Sequence, residues 1–208
     1  MTYLVPDLID MTTDVTYTNE SRAKLSGIDI QLNWNAQLAD LGVDFIPGGV
    51  GLNILTTIPL AIETRSSTDS AEVDWVGFQS GFECPSGMSC SGYEYQIFST
   101  FNYFWDKFSA SQRWQHYPSI DAGALATNPN STAIGIHSSY NVFALSASYQ
   151  INETFLLRAG IENLLDKDPP LSGGNPDATP FAIPATHTTG GFYDPYGRRF
   201  FVGLNMRF

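Results

Sequence analysis

Apolar and polar residues alternate with period two along most of this chain. Ile28, Ile30, Leu32 and Trp34 interleave with Asp29, Gln31, Asn33 and Asn35. Val50, Leu52, Ile54, Ile58, Leu60 and Ile62 form one row of a second segment, opposite Gly51, Asn53, Thr57 and Glu63. Further rows are Tyr95, Ile97, Phe101, Tyr103 and Trp105; Phe108, Ala110 and Trp114; Phe143, Leu145, Ala147 and Tyr149; and Phe155, Leu157, Ala159 and Ile161. The chain closes on Phe200, Val202, Leu204, Met206 and Phe208, alternating with Arg199, Phe201, Gly203, Asn205 and Arg207. Alternation of this kind places each set on one face of a strand, and no stretch repeats at helical spacing. The pattern predicts an all-β chain of about seven antiparallel strands.

The connections come in two sizes, and they alternate. Asp106–Lys107 and Asn152–Glu153 read as tight turns, and a medium connection lies between the first two strands. Residues 64–94, 118–138 and 165–197 form long loops rich in Ser, Gly, Pro, Asn and Asp. Short turns at one end and long loops at the other describe a transmembrane β-barrel, with periplasmic turns and extracellular loops. The polar rows carry Ser, Thr, Asn, Gln and Gly rather than the Lys/Glu mixture of a soluble surface. Trp34, Trp105, Phe108, Trp114, Tyr117, Tyr140, Tyr149 and Phe155 collect at strand ends, as interfacial girdles require. A soluble secreted all-β domain, binding carbohydrate or another ligand through stacking aromatics, is the alternative that alternation alone leaves open.

Composition changes this picture in two places. Charged residues make up only 15% of the chain and aromatics 13%, low and high for a soluble domain. Ten Lys and Arg against 21 Asp and Glu give a net charge of −11, which argues against nucleic acid as a partner. The first residues, MTYLVPDLID, have neither the basic start nor the apolar core of a signal peptide.

The run IENLLDKDPP, a long loop, and then YDPYGRRFFVGLNMRF resemble the carboxyl end of a TonB-dependent outer-membrane receptor. Asn163, Leu164 and Asp166 fill the element that ends the penultimate strand, and Tyr193, Gly197, Arg198 and Phe208 fill the element of the last. Upstream, Asn19, Ala23, Gly27, Ile28 and Asp29 resemble a further strand motif of the family, with Asp in place of its more frequent Glu. The resemblance implies uptake of a scarce nutrient through a plugged barrel in the bacterial outer membrane. It implies, as partners, outer-membrane lipid, a small-molecule ligand and, through the plug, the TonB complex. Phe208 with Met206, Leu204, Val202 and Phe200 then resembles the signal read by the barrel-assembly machinery. Outer-membrane transporters have about 22 strands, and each needs about 9–11 residues, so residues 1–208 are read as the carboxyl-terminal segment of an incomplete barrel, without plug or signal peptide.

Cys84 and Cys90 flank PSGMS in the first long loop, and an oxidising exterior favours a disulfide there over free thiols or a metal site. No cofactor motif, G-x-S-x-G, H-E-x-x-H or P-loop is present, and the chain reads as no enzyme. Arg158 and Glu162, on one polar row, read as members of a lumen network. Candidate ligand contacts are Trp75, Phe78, Phe82 and Tyr93 in the first loop and His187, Phe192 and Tyr193 in the third. Rings with few charges suit a sugar, a polyphenol or a ring-bearing siderophore better than a ferric tri-anion.

Overall fold

The computed structural model describes residues 22–79, 92–130, 137–170, 193–194 and 196–207. Its elements in chain order are β1 (Arg22–Gln37), a 3-10 turn (Ala39–Leu41), β2 (Gly49–Arg65), β3 (Val73–Asp74) and β4 (Phe78–Gln79). They continue with β5 (Gln96–Trp105), β6 (Phe108–Tyr117), β7 (Asp121–Ala122), α1 (Gly123–Thr127), β8 (Tyr140–Gln150), β9 (Phe155–Glu162) and β10 (Arg199–Met206). The 3-10 turn, the two-residue strands β3, β4 and β7 and the single turn of helix α1 lie in connections that the period-two pattern leaves irregular.

The long strands form one antiparallel sheet in the order β1-β2-β5-β6-β8-β9-β10, with β3 added beside β2. Sequence neighbours are therefore sheet neighbours throughout, and the strands do not divide into two facing layers. β1 and β10 are the edges, so the wall is open. With seven alternating strands, both edges run the same way, and an all-antiparallel closure needs an odd number of further strands.

Register decides the faces. The pairs Trp34↔Leu52↔Phe101, Gln112↔Leu145↔Ile161 and Tyr149↔Leu157↔Leu204 place the outward rows of successive strands side by side, Gln112 being the polar exception. These side chains stay in the open: Leu145 is 43% exposed, Leu204 52% and Val202 78%. A soluble fold hides such a row under a second layer, whereas a barrel turns it to hydrocarbon. Trp34, Tyr103, Trp105, Phe108 and Tyr149 ring the turn end of this face, and Trp114 stacks on Phe143 at the loop end.

The opposite face is tied by polar cross-strand pairs. Thr57 donates to Asp29 at 2.8 Å, the Ser109 and Ser148 hydroxyls meet at 2.7 Å, and Asn53 donates to Asn33. Gly160 is required here: a Cβ at this position would lie 2.8 Å from Leu145 O and 2.5 Å from the Phe201 ring, which crosses over it.

Two expected positions change. In β2, Gly27 pairs with Pro59 and Ser26 with Ala61, so Leu60 is an extra residue, a β-bulge. Beyond it the rows exchange faces. Leu60 stays 59% exposed, while Ile62, expected in its row, is 8% exposed. Tyr117 and Tyr140, expected in the membrane girdle, pair with each other on the polar face and turn into the loop core.

The short turns form as their residues require. Asp106 takes a left-handed conformation (φ 49°) between β5 and β6. Asn152 Oδ1 accepts the backbone N–H groups of Thr154 and Phe155 at 3.0 and 2.9 Å, an Asx turn joining β8 to β9. At the other end the loops interlock. β4 pairs with β7 in parallel, joining the first loop to the second, and Ile120 bridges His137 within the second.

Candidate functional site

Two small cores hold the loops above the polar face. Trp75 is fully buried against Ile62, with Val73, Val76, Phe78 and Ala126 around it. Its indole N–H donates to Thr64 Oγ1 at 2.7 Å, and Asp74 Oδ1 accepts the Ile62 and Val76 amides. The second core gathers Tyr93, Ile120, Tyr140 and Tyr193 from all three loops and the top of β8. Tyr140 and Tyr193 meet edge to face at 5.1 Å, and Tyr93 and Tyr117 lie 5.3 Å apart.

Below this second core, on the polar face of β6, β8, β9 and β10, lies a cleft of about 390 Å³. Arg113, Tyr117, Tyr140, Glu162, Tyr193 and Arg199 are among its lining residues. Arg113 reaches across β8 to an ion pair with Glu162, passing over Ala144, the small partner of Arg113 in the register. Glu162 is thus in a polar network on this face, but its partner is Arg113 rather than Arg158. Arg199 forms a two-pronged pair with Asp194, at 2.6 and 3.0 Å. The two pairs cancel in charge, so the cleft offers hydrogen-bonding groups and tyrosine faces with no net charge from these four side chains.

Burial and pairing set the ionisation of the loop groups. Arg199 holds the Asp194 carboxyl below its ordinary range. Desolvation raises Tyr93 well above an ordinary phenol and raises Tyr193 too, and it lowers His137, which is buried at the Tyr193 ring. All three stay uncharged at neutral pH. Among the described residues no group of three or more His, Cys, Asp or Glu side chains converges as a metal site requires.

The turn after β9 explains its residue types. Asn163, buried with φ 49°, accepts the Lys167 amide at 2.9 Å and donates to the Lys167 carbonyl at 3.0 Å. Asp166 Oδ1 accepts the Arg198 amide at 2.8 Å, so the two halves of the carboxyl-terminal motif meet where the third loop leaves and returns.

Among the candidate ligand contacts, Trp75 and Phe78 lie in the first loop core, Tyr93 in the second, and Tyr193 in the second core and on the cleft. Phe200, Val202, Leu204 and Met206 form the exposed outward row of β10. Phe82, Cys84, Cys90, His187, Phe192 and Phe208 lie outside the described residues. Arg113, Tyr117, Tyr140, Asp194 and Arg199 are cleft residues that patterning along the chain does not single out as ligand contacts. Only the polar row of β6 and the proximity of Asp194 to Arg199 hint at them.

An open antiparallel wall with an apolar outer face, a polar inner face and its long loops at one end is part of a transmembrane β-barrel of the outer-membrane type. A family model described as TonB dependent receptor-like, beta-barrel, matches residues 3–164, and the chain belongs to that family. The family is one of outer-membrane receptors serving transport, not of enzymes. No curated protein and no solved structure matches the chain.

Proposed function

We infer that this chain is the carboxyl-terminal wall of a receptor that takes up a scarce small organic ligand with TonB-coupled energy. The observation that carries this reading is the tyrosine-walled, charge-balanced cleft under interlocked loops on the inner face. A transporter must hold its ligand at the outer mouth, and rigid loops on a barrel are suited to that. The cleft chemistry favours a neutral ligand bearing rings or hydroxyls, a sugar or polyphenol more than a polyanion. In this reading a plug contributed by other sequence fills the lumen and contacts TonB, and Phe208 with the outward row of β10 addresses the assembly machinery.

Cells carrying the receptor test this. Tyr140→Ala and Arg113→Ala should each lower surface binding of such ligands at unchanged receptor abundance. Collapsing the proton gradient should stop uptake while leaving binding intact. Full binding in both variants, or uptake indifferent to the gradient, would overturn the reading. Partition adds a further arm: the chain should fractionate with detergent-extracted outer membranes, not with clear supernatant.

A further inference from the structure

The outward face is apolar over most of its area, but one row near its loop end is not. Ile97 on β5 pairs with His116 on β6, which pairs with Asn141 on β8, one step beyond the Trp114↔Phe143 pair. These polar groups are joined. Tyr95 OH lies 3.2 Å from His116 Nε2, and His116 Nδ1 lies 2.9 Å from Asn141 Oδ1. Trp114 Nε1 donates to the same oxygen at 2.9 Å. The rings lie alongside, with Tyr95 and His116 5.6 Å apart and Trp114 stacked on Phe143 at 6.4 Å and 12°.

Hydrogen-bond roles follow from this geometry. An amide oxygen can only accept, so Nδ1 of His116 donates to Asn141, and in the neutral imidazole Nε2 accepts from the tyrosine hydroxyl. Both lone-pair directions of Asn141 Oδ1 are then used. Its amide nitrogen has no protein partner among the described residues, and the register places Asn141 on the outward face beside Phe143 and Trp114.

Height matters as much as chemistry. Phe108, in the turn-end girdle, and His116 are eight residues apart on β6. At about 3.3 Å per residue and a tilt of about 40°, that is roughly 20 Å along the membrane normal. Since the apolar band of such a wall is about 25 Å tall, the network sits at its outer rim, at the level of outer-leaflet headgroups. The outward rows of β5, β6, β8 and β9 carry no Lys, Arg, Asp or Glu, which favours an uncharged headgroup over a phosphate.

We propose that Tyr95, Trp114, His116, Asn141 and Phe143 form a docking site on the outer wall for the neutral sugar headgroup of an outer-leaflet glycolipid. The Trp114 and Phe143 planes receive the C–H face of the sugar ring, and the Asn141 amide donates to its hydroxyls. The lipid's acyl chains then run down the row of Leu145, Leu157 and Leu204. This site lies on the face opposite the cleft, and it does not depend on which ligand the receptor transports.

The test uses the complete receptor that contains this wall, assembled in outer membranes, extracted in mild detergent and titrated with defined lipids, with bound lipid counted by native mass spectrometry. Monoglucosyl diacylglycerol should be retained in preference to phosphatidylglycerol of the same acyl chains, and free methyl glucoside should compete poorly. Asn141→Leu and Trp114→Leu should each weaken glucolipid retention about tenfold, the loss of one well-made contact. Asn141→Gln, which keeps the amide, should retain more, and Leu145→Ala should leave headgroup preference unchanged. Heat-modifiable migration identifies variants that have folded. Equal retention of both lipids, undiminished retention in folded Asn141→Leu and Trp114→Leu chains, or equal binding of the free sugar would overturn the proposal.

Discussion

Asp166 Oδ1 accepts the backbone N–H of Arg198, 32 positions further along the chain, at 2.8 Å. This bond ties the start of β10 to the turn that follows β9. Asp166 also holds a left-handed backbone (φ 53°), which Asp and Asn tolerate better than other side chains. Asp166→Ala should therefore cost about 1–2 kcal/mol in the assembled receptor, and Asp166→Asn much less. Equilibrium unfolding in detergent reports both, and an equal cost for the two variants would contradict the assignment.

The two faces of β8 and β10 should respond very differently to one charge. Leu145→Arg puts a guanidinium in hydrocarbon near mid-strand and should cost about 2–4 kcal/mol. Asn205→Arg, on the polar row, should cost far less. Folding titrations into bilayers compare them directly.

Two glycines on the polar face should behave in opposite ways. A Cβ at Gly160 meets a backbone oxygen and the Phe201 ring, so Gly160→Ala should cost about 1–3 kcal/mol by overpacking. A Cβ at Gly203 meets nothing within 4 Å, and Gly203→Ala should be neutral or slightly stabilising. Adding Phe201→Leu should relieve part of the Gly160→Ala cost and so identify the ring as the obstacle.

Acid should loosen the loop core in two separate windows. The His137 value is depressed in the fold, so its contribution is full above the ordinary histidine value near 6.5. That contribution falls as pH drops below about 6.5, because the unfolded loop takes up the proton first. Asp194, also depressed, contributes above the ordinary carboxylate value and is lost only at more acidic pH, as its bond to Arg199 breaks. The groups facing His137 are the neutral Tyr193 ring, with Tyr140 and Tyr93 behind it. Protection of the Ile120–His137 bridge amides, corrected for the intrinsic pH dependence of exchange, should fall between pH 7 and about pH 5 in the native chain and stay flat in His137→Phe.

The strands are legible in the sequence because a wall one residue thick, with unlike media on its two sides, repeats the same demand every second residue. Each long strand, the two tight turns and the outward placement of Ile30, Leu145, Leu157 and Leu204 follow from that demand alone. The Leu60 bulge is not legible, since an extra residue in a run of apolar side chains leaves no mark until the partner strand is present. That bulge sends Ile62 inward, under Trp75. The cleft is illegible for a related reason. Arg113 meets Glu162 across an intervening strand, and Tyr93 and Tyr193 come from distant loops to meet Tyr140 at the top of β8. Period-two patterning determines which side of the wall a residue faces. Only the tertiary fold decides which residues on that side meet, because their contacts depend on strand order, stagger and loop closure, quantities that alternation does not encode.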